Sequence, residues 1–211
     1  MNIILFDLDN TLYPPERQLF SLIDVRINRY MCEVVGIPSH EVDGLRRQYW
    51  QEYGVTLQGL IRHYDIDPED YLTYVHDVDI LSRLGPDPHL RETLQALPQR
   101  RTVFTNGSIC HANRVLSALA IDDLFEEIFD IRVAAYQPKP FPEPYRAVLD
   151  TLGATAQECI MVEDSRENLQ TAKKLGMATV LVGDGETPDF VDSHIPAVIR
   201  IGQALQDWSA A

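Results

Sequence analysis

Cysteine is scarce. Only Cys32, Cys110 and Cys159 occur, far apart and without the C-x-x-C spacing of a metal or redox site. That excludes a disulfide-stapled framework and suggests a reducing compartment. Basic residues are also short: 18 Lys and Arg stand against 32 Asp and Glu, a formal net charge of −14. An acidic surface of that size argues against duplex nucleic acid or an anionic membrane as partner, because both repel it. It says nothing against a small phosphate ester, which feels the local site. No apolar run approaches a bilayer-spanning length, and no charged-then-apolar leader precedes the first apolar stretch. The expectation is a soluble cytoplasmic protein. Internal repeats and low-complexity segments are missing too. What is present is 211 residues, 45% of them hydrophobic, enough for one large domain or one domain plus a smaller insert.

The chain is organised around Ile3-Ile4-Leu5-Phe6-Asp7-Leu8-Asp9-Asn10-Thr11. A short unbroken apolar run reads as a strand buried on both faces. It runs into two acids. If the strand continues through them, period-2 alternation points Asp7 and Asp9 the same way. Like charges side by side disfavour each other unless a cation or proton intervenes. The carboxyl end of such a strand is where open α/β sheets bind ligands. Acids that only cap a turn would look similar.

Pro14-Pro15 changes the texture. Residues 14 to about 84 read as all-helical. Helical spacing runs from Gln18 to about Val35, a second helix begins at Ser39, and a third covers Leu57–Tyr64. A fourth has Asp67 as N-cap and Pro68 at its first position. After Gly85-Pro86 strands alternate with helices. The predicted strands lie at 101–105, near 128–131, at 159–162, at 178–182 and near 198–201. Alternation of this kind means an α/β fold with a mostly parallel, Rossmann-like sheet covered on both faces. The expected division is a core of 1–13 plus 86–211 and a small helical cap of 14–85.

Three later strand ends repeat the pattern of the first. Phe104 runs into Thr105-Asn106-Gly107-Ser108, which offers a hydroxyl, an amide and backbone N–H groups beside a helix start. A plain strand–helix turn capped by Ser108 has the same sequence. Lys139 stands between Pro138 and Pro140, held in an extended loop. Val162 runs into Glu163-Asp164-Ser165, where the acids either bind a cation or complement a helix start.

Taken in order, these four fragments resemble the motifs of the haloacid dehalogenase-like hydrolases, beginning with the DxDxT of Asp7, Asp9 and Thr11. The resemblance spans the α/β part from end to end. In the cap, Gln51–Leu60 and Tyr74–Asp79 are similar to the pyrimidine 5′-nucleotidase-like branch. The resemblance implies that Thr105 and the Asn106 backbone hold phosphate oxygens and that Lys139 neutralises the nucleophile and phosphate. It also implies that Asp164, directly, and Glu163, directly or through water, hold a metal. The halide-removing members lack an acid at the place of Asp9 and need no metal, so this sequence favours phosphoryl transfer.

The chemistry implied is a Mg²⁺-dependent phosphomonoester hydrolase. Asp7, the backbone carbonyl of Asp9, and Asp164 are the expected Mg²⁺ ligands, oxygen donors of the kind that ion prefers. Asp7 is the expected nucleophile, forming an aspartyl-phosphate. Asp9 is the expected acid and then base, starting protonated because of its neighbouring carboxylate. The expected substrate is a pyrimidine nucleoside monophosphate, UMP or CMP, with Tyr53 stacking on the base and Thr56 pairing its edge. The alternatives are a sugar-phosphate phosphatase or phosphomutase on the same scaffold, or a non-enzymatic binding protein with a decayed site, a decay the intact Asp pair speaks against. His40, His63, His89 and His111 read as exposed histidines, ordinary surface or packing residues.

Overall fold

Strand β1 (Ile3–Phe6) is buried along its whole length. Its alternation is visible in the core: Ile4 and Phe6 join one apolar cluster, Ile3 and Leu5 the other. A strand buried on both faces must sit mid-sheet, and β1 does. In the computed structural model, which describes the backbone of residues 1–209 and the side chains of residues 1–206, it pairs with β2 (Arg100–Phe104) on one side and β4 (Cys159–Glu163) on the other. With β3 (Glu127–Phe129), β5 (Ala178–Val182) and β6 (Ser193–Ile195) these form one parallel sheet of order β3-β2-β1-β4-β5-β6. The order reverses beside β1, so its carboxyl edge is the topological switch point where doubly wound folds bind ligands.

Between β1 and β2 lie α1 (Leu19–Glu33), α2 (Ser39–Tyr53), α3 (Thr56–Tyr64), α4 (Pro68–Val75) and α5 (Pro88–Gln95). Residues 15–82 contain helices and no strand. Asp67 caps α4 by accepting from the Glu69 N–H at 2.9 Å. The later helices are α6 (Ile109–Leu119), α7 (Pro142–Leu152), α8 (Arg166–Leu175) and α9 (Ile201–Ser209). Core residues of α1, α3 and α4, such as Leu19, Ile23, Leu60 and Leu72, share one apolar cluster with Phe6, Val103 and Val162 of the sheet. Among the described residues no helix is long and apolar enough to cross a membrane.

Three expectations need correction. The strand expected near Val198–Ile201 is a 3₁₀ turn (Val198–Arg200) leading into α9, and the last strand is Ser193–Ile195. A short apolar run does not distinguish strand from helix start. The strand near 128–131 stops at Phe129, because the Asp130 side chain accepts from the Ile109 and Arg132 N–H groups and starts a 3₁₀ turn. Finally, β1 stops at Phe6. Asp7 still donates its N–H to the Val162 carbonyl at 2.9 Å, but a turn opens at Leu8, whose carbonyl accepts from the N–H groups of Thr11 and Leu12. Asn10 has a φ of +63°. Asp9 therefore lies in a turn, and strand alternation does not govern its direction.

Candidate active site

Asp7, Thr105 and Glu163 stand at the carboxyl ends of three neighbouring strands, where the Lys139 loop meets them. The Lys139 side chain is 1% exposed. It donates to Asp7 Oδ1 at 2.7 Å, Glu163 Oε2 at 2.8 Å and the Phe104 carbonyl at 2.7 Å, which uses its three protons. Asn106 holds the loop: Lys139 N–H donates to its Oδ1 at 2.8 Å and its Nδ2 donates to the Lys139 carbonyl at 3.0 Å. The turn between α2 and α3 rests on the same loop. A Cβ at Gly54, where φ is +80°, would lie 3.1 Å from Pro138 Cγ and 3.2 Å from the Lys139 carbonyl oxygen.

Side-chain oxygens of Asp7, Glu163 and Asp164 lie within 4.8 Å of one another. Burial carries the Asp7 carboxyl up to about 7, with Glu163 adding to the rise and Lys139 opposing it. Burial likewise carries Glu163 up to about 7 against the pull of Lys139. Asp164 is raised by burial and then by the Asp7 charge. Lys139 loses some of its proton affinity to burial, but Asp7 and Glu163 outweigh that and hold it above its ordinary range. Three carboxylates thus share one ammonium, and a divalent hard cation is the counter-charge that oxygen donors of this kind take. Glu163 is the most engaged of the three. Its Oε2 accepts from Lys139 and from Asn168 Nδ2 at 2.9 Å, and its Oε1 from the Ser165 N–H at 3.3 Å. Asp164 accepts from Thr11 Oγ1 at 3.3 Å, which leaves it the freer ligand.

Asp9 has different company. Its Oδ1 accepts from the Tyr13 hydroxyl at 2.5 Å and from His111 Nε2 at 2.9 Å. Burial by itself would raise this carboxyl, but His111 and then Tyr13 outweigh it and hold Asp9 below the usual carboxylate range. The expected protonation of Asp9 by a neighbouring acid is therefore corrected: with β1 ending at Phe6, the nearest partners of its carboxyl are donors. His111 corrects a second expectation. It is fully buried, whereas His40, His63 and His89 are exposed. Its ring stacks on His76, 4.6 Å between centroids and 18° from parallel. Burial, and then His111, push His76 down to about 3. Sequence reasoning misses Tyr13, His76 and His111 as site residues. Two of them carry a signal: Tyr13 follows Asp9 by four, and His111 follows the Ser108 N-cap by three, on the first turn of α6.

Thr105 is buried beside the cavity, and its Oγ1 accepts from the Gly107 N–H at 2.9 Å. Asn106 also lines the cavity, with its side chain committed to the Lys139 loop. Above these residues opens a cavity of about 570 Å³, floored by Asp7, Asp9 and Asp164. Its walls come from the helical segment, among them Phe20, Ile23, Arg46, Trp50, Thr56 and Val75. Thr56 lines this space; Tyr53 does not, contrary to expectation. The Tyr53 hydroxyl is 3.0 Å from His63 Nε2, its ring is 6.0 Å from that of Tyr49, and the Arg62 guanidinium lies 5.0 Å over its face. The aromatic packing of α2 on α3 draws Tyr53 away from the cavity.

Known proteins are similar to this chain in sequence and in fold. The model of a hydrolase family, the haloacid dehalogenase-like hydrolases, matches residues 1–176. Phosphate metabolism protein 8 of Saccharomyces cerevisiae is 29% identical over 194 residues, covering 85% of this chain and 60% of the yeast protein, so the chain spans less than two thirds of that relative. A phosphoglycolate phosphatase of Rhodospirillum rubrum is 29% identical over 221 residues, covering 97% of this chain and 89% of the relative. CbbY from Rhodobacter sphaeroides, solved in complex with phosphate, superposes with a TM-score of 0.70 at 19% identity, over 98% of this chain and 99% of that one, and so shares the fold. The chain is an enzyme of the haloacid dehalogenase-like hydrolase family, with phosphatases among its relatives.

Proposed function

We propose that the chain is a Mg²⁺-dependent phosphomonoester hydrolase working through an aspartyl-phosphate on Asp7, with residues 14–85 acting as a cap that selects the substrate. The observation that carries this reading is the pair of acids in unlike settings. Asp7 is gripped by Lys139 among carboxylates, while Asp9 is held apart by Tyr13 and His111.

Asp7, the Asp9 backbone carbonyl and Asp164 would hold Mg²⁺, with Glu163 supporting them. When bound, the cation offsets charge on the phosphoryl group and on Asp7. A carboxylate oxygen of Asp7 attacks phosphorus as the ester P–O bond breaks. Asp9 gives the departing alkoxide a proton, then takes one from the water that cleaves the acyl phosphate. A dianionic ester beside Asp9 raises its proton affinity, which readies it as the acid. Thr105 and the Asn106 backbone N–H stabilise the equatorial oxygens, and the Lys139 ammonium, whose protons are held by Asp7, Glu163 and Phe104, adds its charge.

The substrate proposed is a pyrimidine nucleoside 5′-monophosphate, UMP or CMP, met as a free molecule in the cytoplasm. The size of the cavity and the aromatic and apolar side chains on its walls suit a ring-bearing leaving group. Thr56 is retained as a contact to the base edge; Tyr53 is not. A second reading is a small acidic ester such as phosphoglycolate. The relative of that name favours it, as do Arg46 and Arg47 on the cavity wall. One panel decides between them: UMP, CMP, phosphoglycolate and sugar phosphates, each with Mg²⁺ and with EDTA. The reading expects the highest kcat/KM for UMP or CMP and loss of activity in EDTA. Preference for phosphoglycolate would support the second reading, and full activity in EDTA would remove the metal.

A further inference from the structure

The geometry around Asp9 assigns different tasks to its two oxygens. Oδ1 accepts both the Tyr13 hydroxyl and His111 Nε2. A carboxylate oxygen has about two good acceptor sites, so Oδ1 is saturated. No hydrogen bond to Oδ2 is made among the described residues, and Asp9 lines the cavity. Any proton Asp9 carries or accepts during turnover is therefore placed on Oδ2.

The two donors are themselves fixed. Tyr13 is buried at the end of the turn that starts at Leu8. His111 lies wholly inside the protein, and its Nδ1 is buried with no partner among the described residues. The polar contact of its ring is Asp9, which requires the hydrogen on Nε2. The ring cannot swing away, because His76 covers its face. His76 is fixed in turn, with Nδ1 2.9 Å from the Leu72 carbonyl and 3.1 Å from Ser108 Oγ. A buried imidazole with an unsatisfied nitrogen is a costly way to fill space. An apolar residue would fill it with no polar atom to desolvate.

We propose that His111 and Tyr13 are positioning residues for the acid–base step: by holding Oδ1 of Asp9 they present Oδ2 to the ester oxygen of the leaving group. This rests on the phosphohydrolase reading. The bond balance is simple. As the Asp7 oxygen bonds to phosphorus and the ester P–O bond breaks, the electron pair goes to the ester oxygen, and the proton that Oδ2 of Asp9 took from solvent when the ester bound follows it to give the free alcohol.

The test is the leaving-group dependence of kcat/KM across phosphate monoesters, from p-nitrophenyl phosphate through phenyl phosphate to an alkyl phosphate. General acid assistance matters most for the poorest leaving group and is worth on the order of 10²–10⁴ overall. In His111→Phe, which keeps a ring against His76, the alkyl-to-p-nitrophenyl ratio of kcat/KM is expected to fall at least about tenfold. Tyr13→Phe, which loses one hydroxyl and no ring, is expected to shift the ratio the same way. His111→Gln keeps a side-chain N–H donor and is expected to restore most of the ratio. In an Asp9→Asn background the His111 substitution is expected to add little, because residues acting as a unit are not additive. Equal losses for every ester in both single variants, with no rescue by Gln, would make these residues merely structural and overturn the proposal. If His111→Phe does not fold, the ratio in Tyr13→Phe decides: a fall supports the proposal and equal losses overturn it. A wild type that hydrolyses none of the esters refutes the phosphohydrolase reading itself, a result seen without any variant.

Discussion

Asn106 grips the backbone of Lys139 from both sides, accepting from its N–H at 2.8 Å and donating to its carbonyl at 3.0 Å. The resemblance implies a phosphate contact for the Asn106 backbone only, and the side chain is spent on aiming the ammonium. Asn106→Ala removes both bonds and frees two backbone groups. A stability loss of about 1–3 kcal/mol in urea unfolding is expected. A lower kcat is expected with it, smaller than the loss in Lys139→Ala. Unchanged stability and kcat would show that the loop holds itself.

The contact of α2 on α3 makes a sharper structural prediction. A Cβ at Gly59 would lie 2.1 Å from Tyr49 Cγ, inside the ring. Gly59→Ala must therefore push the two helices apart, and a cost of about 1–3 kcal/mol is expected. Gly44, on the exposed side of α2, has nothing within 4 Å of such a Cβ. Gly44→Ala is expected to stabilise by up to about 1 kcal/mol. Equal melting temperatures for the two variants would contradict the packing described.

His76 ties stability to pH. Its pKa falls from about 6.5 in the unfolded chain to about 3 in the fold. Between those values the unfolded chain binds more protons, so folding is favoured as pH rises and weakened as pH falls. The contribution is whole above about pH 6.5 and is lost progressively toward pH 3. His76→Phe keeps the stack and removes the titration. Its stability relative to wild type is expected to improve steadily as pH falls from about 7 to about 4 (the span of the lost titration). A constant difference across that range would mean that the ring is already charged in the fold.

Much of the fold was legible because it is written in periods. The apolar run of β1, the helical spacing of α1 and the Asp67-Pro68 start of α4 depend on neighbours in sequence alone. The candidate site was legible as a pattern, since Asp7, Thr105 and Glu163 stand at strand ends and Lys139 in a proline-bracketed loop. The misreadings share a cause. The direction of Asp9 and the burial of His111 are set by a pairing across 102 residues, and the turning away of Tyr53 by His63, 10 residues on. Tertiary partners of that kind leave no periodic trace. Val198-Ile199 failed for another reason, an apolar pair too short to carry a period.

The cavity gives a prediction with an internal control. Thr56 lines the cavity and Tyr53 packs between α2 and α3. Thr56→Ala is expected to raise KM for UMP several-fold while leaving that for p-nitrophenyl phosphate nearly unchanged, because the aryl ester has no base edge to pair. Tyr53→Ala is expected to lower the melting temperature and to alter both KM values together. A UMP-specific effect from Tyr53 alone would return it to the pocket.

The most direct test of the mechanism is to trap the acyl phosphate. Enzyme turning over its best monoester with Mg²⁺ is quenched in acid, reduced with borohydride and digested. Borohydride converts an aspartyl-phosphate to homoserine, which mass spectrometry reads in the peptide that holds Ile3–Leu12. Homoserine at position 7, dependent on substrate and Mg²⁺ and absent from Asp7→Asn, is the predicted result. Efficient turnover with unmodified Asp7, or reduction at another residue, would contradict it.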